Sequence, residues 1–226
     1  MARRARRGAD GDRLPRPRSE RHRAAVELGR LGIPLLPSHY PVEVQRAGLS
    51  GRHFVCSCGE AACPTPAWHL PGVLTTADAT TDPLRLARWW GGNLDLANLA
   101  TVAGWPFDVV ELSYQAPAEQ VAAWLRAHDL EAGPVIDTGD TTRFLVQVVA
   151  PPPCYAPLRT GWVSKLRAGM LVLLPPSRSI RGRELRWLTG PRGVPLPDGE
   201  ALYQVLRRLP AWWELAVWAR PERTTT

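Results

Sequence analysis

An α+β fold is what this sequence predicts. Three observations carry that reading. Apolar and β-branched runs follow one another in hairpin-like pairs across Gly- and Pro-marked turns, and capped helical segments lie among them. The third is size: 226 residues with 45% apolar content are enough for a full core, as one large domain or one domain with a small appendage.

Each element has a local cause. Residues 1–18 are rich in Pro, Gly and Arg and are expected to form a disordered basic tail. Ser19 is placed to cap a helix over 19–31, with Ala24, Ala25, Leu28 and Leu31 on one face. Gly32 ends it, and 33–36 reads as a short strand. Residues 37–81 read as irregular. Asp82-Pro83 starts a helix that reaches Trp89-Trp90 and stops at Gly91-Gly92. Residues 98–101 and 108–112 read as two strands around a Gly104-Trp105-Pro106 turn. Pro117 opens a helix whose apolar face is Val121, Trp124 and Leu125. Strands follow at 134–136 and 142–150, joined by a turn at 137–140. Further strands are expected at 169–174 and 186–188, a helix at 199–209, and a closing segment at 212–218.

The charge is concentrated. Net charge is +7, and of 28 basic residues only Lys165 is lysine. Such Arg bias, beside abundant Ala, Pro and Gly, most simply reflects a GC-rich coding sequence. Residues 1–23 hold nine arginines against Asp10, Asp12 and Glu20, so the remainder is close to neutral. Arg3, Arg4, Arg6 and Arg7 are therefore expected to supply most contact with nucleic-acid phosphate. No apolar run approaches the roughly 18–20 residues of a membrane span. The N-terminal arginines are followed by polar residues rather than an apolar segment, so a cytoplasmic protein is expected.

Cys56-Ser-Cys58-Gly-Glu-Ala-Ala-Cys63 followed by His69 gathers three of four cysteines within fourteen residues. Three thiols and an imidazole are the ligand set of tetrahedral zinc. Four protein ligands make a closed, structural site. Cys58-Gly59 suits a turn, because Gly tolerates positive φ. A metal would also organise the 50–72 segment, which is long for a structureless insert. His53 is a substitute ligand, and the competing reading is a pair of buried thiols or a disulfide. Trp89-Trp90 and Trp212-Trp213 are candidates for stacking on bases, with core packing the expected role.

The order of these features resembles the N-terminal domain of bifunctional DNA primase/polymerases, in the archaeo-eukaryotic primase superfamily. Leu31-Gly-Ile-Pro-Leu-Leu36 resembles its Gly-x-Pro-aliphatic strand, and 56–69 its Cys-x-Cys-Gly…Cys…His segment. Thr80-Thr-Asp82 to Trp89-Trp90, Asn98 to Gly104, and Val172-Leu-Leu-Pro-Pro-Ser177 with Arg186-Trp187 continue the match, which covers about 22–190. The resemblance implies a primase-polymerase-like core: an RRM-like antiparallel sheet with an N-terminal α/β unit over 19–190. Residues 191–226 would be a helical extension.

The implied chemistry is eroded. Templated nucleotide addition uses carboxylate-held magnesium or manganese to clamp the attacking and leaving oxygens. The family's Asp-x-Asp pair is similar here to Glu111-Leu-Ser113, its phosphate-binding His aligns with Arg143, and its third Asp falls near Ser164 with Lys165 beside it. The resemblance makes Glu111, Ser113 and Arg143 the catalytic positions, and Arg143 and Lys165 candidates for nucleic acid. Glu111 and Ser113 share a strand face by two-residue spacing. One carboxylate binds a divalent ion weakly, so a catalytically degenerate domain acting through DNA or replication-protein binding is expected. The alternatives are an active primase/polymerase with substitute ligands, and an interaction protein with no nucleic-acid role.

Overall fold

Two sheets that share no strand organise the chain, one of three strands and one of six. The computed structural model describes residues 19–45, 51–114, 117–148, 155–158, 161–211 and 214. The expected basic tail, Cys154 and most of the segment 212–218 lie outside the described residues.

Helix α1 (Glu20–Arg30) begins where expected, the Ser19 hydroxyl accepting the His22 amide N–H at 3.1 Å. Its buried face is Ala25, Val26, Leu28 and Gly29, whereas Leu31 is exposed. The face is rotated from the expected one because a neighbouring helix docks against Gly29. A Cβ there would lie 2.4 Å from Leu86 Cδ1 and 3.1 Å from the Thr81 carbonyl oxygen, so any side chain would force this contact to shift. Strand β1 (Leu36–Ser38) follows, then the hairpin β2 (Pro41–Val44) and β3 (His53–Cys56) within the stretch expected to be irregular. Helix α2 (Pro83–Trp90) is capped by the Asp82 carboxylate, which accepts the Leu84 N–H at 2.9 Å. Trp90 is fully buried and Trp89 packs edge-on against it, the core role expected.

Strands β4 (Asn98–Val102) and β5 (Asp108–Tyr114) flank the Gly104-Trp105-Pro106 turn as expected, and they belong to different sheets. Residues 98–101 of β4 are buried without alternation, a pattern that needs neighbours on both edges and cover on both faces. Helix α3 (Ala118–Arg126) leads to β6 (Val135–Asp137) and β7 (Thr142–Val146). A hairpin missed in the sequence, β8 (Tyr155–Leu158) and β9 (Gly161–Lys165), precedes β10 (Leu171–Leu174), β11 (Arg186–Thr189) and α4 (Gly199–Leu206).

The small sheet runs β1-β4-β10 and the large one β11-β6-β7-β5-β9-β8, with every pairing antiparallel. The order β6-β7-β5-β9, with α3 crossing from β5 to β6, is the expected RRM-like core, and the mixed α+β class holds. Side chains alternate between the faces of the large sheet. Val109, Ile136 and Leu145 join α1, α2 and the small sheet in one core. Val110, Leu112, Phe144 and Val163 join α3 and α4 in a second. Leu202, Tyr203 and Leu206 of α4 are integral to that second core, although α4 lies in the segment read as an extension.

Candidate functional site

The hairpin β2–β3 ends at Cys56, and the chain then turns tightly through Gly59, whose φ of +81° is the left-handed conformation expected there. This brings Cys56, Cys58, Cys63 and His69 together, with one ligand atom of each within 4.8 Å of the others. His69 Nε2 lies 3.3 Å from both Cys56 Sγ and Cys63 Sγ. A tetrahedral ion with bonds of about 2.0–2.3 Å sets its ligands about 3.5–3.8 Å apart, so the four donors fit one metal ion. No disulfide joins them. His53 is excluded as a ligand: it stands at the far end of β3 from Cys56, roughly 10 Å along the strand.

The thiols do not share an environment. Desolvation opposes ionisation of Cys56, but backbone N–H donors, Ala67 first, outweigh it and bring the thiol down to about 7. Cys63 is pushed up to about 11 by desolvation and by the thiols of Cys58 and Cys56. Cys56 and Cys63 are thus driven in opposite directions while no ion is bound. A bound cation removes that conflict.

The segment past Cys63 connects this cluster to a cleft of about 250 Å³. Pro66, Ala67 and Trp68 form one wall, Ser179, Ile180 and Leu185 another, and Glu111, Asp140, Thr141 and Arg143 the polar floor. Glu111 on β5 faces Arg143 on β7 in direct register, and both are buried. Arg143 Nε donates to Glu111 Oε2 at 2.5 Å, and the Thr141 hydroxyl donates to the same oxygen at 3.3 Å. Trp68 lies over the guanidinium, with 5.2 Å from Cζ to the ring centroid. Its indole N–H donates to the Leu171 carbonyl at 2.7 Å, which fixes the ring. Asp140 is paired with Arg181 and Arg183.

Residues matched in the sequence by order alone have a structural role behind this cleft. The Asn98 side chain bonds both the N–H and the C=O of Arg178. The Ser177 hydroxyl does the same with Leu99. These ties anchor the loop after β10 that supplies Ser179 and Ile180.

The family model for bifunctional DNA primase/polymerase, N-terminal, matches residues 25–212. This chain belongs to that family. The match runs beyond residue 190 and takes in α4. No curated protein matches the chain.

Ser113 shares the β5 face of Glu111 but lies past the last β5–β7 pair, opposite Trp162 on β9, and is not among the residues lining the cleft. Ser164 lies directly opposite Glu111 and is neutral. Lys165, expected to meet nucleic acid, turns to the other face of the sheet. It is buried there, paired with Glu200 and set over the Tyr203 ring. Each carboxylate lining the cleft, Glu111 and Asp140, is engaged by arginine. Magnesium and manganese need several free carboxylate or water oxygens. The residues present do not fit them. Sequence reasoning missed Ala67, Trp68, Thr141 and Ser179 as parts of the site, because none of them carries a local signal and the fold alone brings them to the cleft.

Proposed function

We propose that this primase/polymerase relative binds nucleic acid, or a partner bound to it, without transferring nucleotides, in the replication of a plasmid, phage or integrated element. The observation that carries the reading is the Glu111–Arg143 pair. The remaining carboxylate of the motif is neutralised by a fixed cation instead of being free to clamp a metal. Glu111, Ser113 and Arg143 then mark the positions of a lost catalytic site. The ion at Cys56, Cys58, Cys63 and His69 is taken as zinc, since three thiolates and an imidazole suit it best, and the closed set makes it structural. DNA contact would come from Arg3, Arg4, Arg6 and Arg7 together with Arg143. Replication proteins are the expected partners and the cytoplasm the expected compartment.

Primer synthesis and gap filling, assayed with magnesium and with manganese beside an active family enzyme, test the reading. No incorporation, together with measurable DNA binding, is expected. Incorporation that Glu111→Gln abolishes would overturn it in favour of an active polymerase.

A further inference from the structure

The row of side chains that floors the cleft continues past Glu111. Glu111 lies opposite Ser164 on β9, and Ser164 lies opposite Tyr155 on β8. One step along, Ser113 lies opposite Trp162, and Trp162 opposite Pro157. Directly opposed residues of antiparallel strands share a face, so all of these stand on the face of Glu111. The alternate residues Leu112, Val163 and Ala156 take the other face and pack with α3 and α4. On the Glu111 face, the core formed with α1, α2 and the small sheet takes in Val109, Ile136 and Leu145 but no residue of β8 or β9. Tyr155 is 64% exposed there, and Trp162 and Ser164 are half-buried. The two rings lean on each other, with centroids 6.1 Å apart and planes at 34°. An exposed ring backed by a second one loses little freedom when a flat ligand settles on it. The side chains placed beyond Glu111 are uncharged, and Glu111 itself is neutralised by Arg143. What this surface offers is ring area, on which unpaired bases stack whatever their sequence.

We infer that Tyr155 and Trp162 form a stacking platform for the bases of a single strand that crosses β9 and β8. Tyr155 stands roughly 10 Å from Glu111, two strand spacings away, so the platform is separate from the positions of the lost catalytic site. This inference rests on the nucleic-acid reading and names the part of the nucleic acid that is held. That part is the face of an unpaired base, which a duplex hides. The platform holds no cation, so its contribution should not depend on salt, unlike that of the arginine tail.

Titration of the full chain with two fluorescently labelled single strands tests this. One is an oligothymidylate, and the other is a strand of the same length built from abasic residues. Both carry the same phosphates, so the arginine tail should hold them alike, and the difference between them reads the bases alone. Wild type should bind the thymidylate strand about fivefold or more tighter than the abasic one. Tyr155→Ala should erase most of that preference and Trp162→Leu should reduce it, with the salt slope unchanged in both. Tyr155→Phe should keep the preference, because the ring is retained. Tyr155 is exposed, so its variants should fold; if Trp162→Leu does not by circular dichroism, the two Tyr155 variants decide. The inference is overturned if wild type binds both strands equally, or if Tyr155→Ala keeps the preference. It is also overturned if sedimentation shows a dimer that Tyr155→Ala dissolves, since a second copy then covers the platform. Those results would leave the nucleic-acid reading standing, provided that the strands bind. Failure of wild type to bind either strand would strike that reading and the inference together.

Discussion

The Ala67 amide N–H points at the Cys56 sulfur, 3.2 Å away, from a backbone in the left-handed region at φ +60°. That conformation is disfavoured for alanine and is kept only where the surroundings fix it. Here they do: Ala67 is buried, its carbonyl accepts from Ser38 Oγ at 3.3 Å, and Trp68 beyond it is pinned to Leu171. The Cys/His cluster and the cleft wall are thus one continuous piece of chain.

Purified protein should carry about one zinc per chain by elemental analysis. Cys56→Ser should lose it and also expose Trp68, read as a red shift of tryptophan fluorescence. Binding should weaken as pH falls, because the sulfurs must shed protons to ligate. A metal-free protein with unchanged stability would refute the site.

Breaking the Glu111–Arg143 pair from one side should be severe. Glu111→Ala leaves a buried guanidinium without its partner and should cost about 3 kcal/mol or more in urea denaturation. Glu111→Leu combined with Arg143→Met should recover most of that loss. Additive losses in the double variant would mean that the two residues act independently.

Lys165→Ala should lower stability by about 1–3 kcal/mol, because a packed stem and an ion pair are lost together. It should leave DNA affinity unchanged, since Lys165 faces α4 rather than the cleft. The hydrogen bond from Lys165, and then that from Gln204, holds the Glu200 pKa below its ordinary value of 4.5. A depressed carboxylate stabilises the fold above that ordinary value, and the contribution fades as pH drops through the folded pKa. Stability measured from pH 6 down to pH 3 should therefore fall less steeply in Glu200→Gln than in wild type.

Deleting residues 1–18 removes Arg3, Arg4, Arg6, Arg7, Arg13, Arg16 and Arg18. The slope of log affinity against log salt should flatten accordingly, at roughly 0.7 per lost single-strand phosphate contact. An unchanged slope would place the electrostatic contact on residues 19–226.

What could be read from the sequence was what local chemistry decides. Ser19 and Asp82 cap the helices they were expected to cap, and the Cys/His cluster follows from short spacing. Glu111 and Ser113 could be placed on one strand face, but the pairing of Glu111 with Arg143 depends on the register between β5 and β7, which no local signal sets. Lys165 shows how sensitive that is: a one-residue difference from Ser164 on β9 sends it to the opposite face. The hairpins at β2–β3 and β8–β9 were hidden by Pro41 and Pro157. Proline argues against a central strand, but these two sit at a strand start and on the outermost strand of the large sheet.

The two cores meet through the thickness of single strands. Val109 belongs to one and Val110 to the other, and the same division recurs at Leu145 and Phe144 and at Ile136 and Val135. Melting either half strips one side of β5, β6 and β7, so each core is stabilised by the other. The sheet thereby couples the described cores, so that a disturbance at the helical side lowers the stability of the strands that carry the cleft.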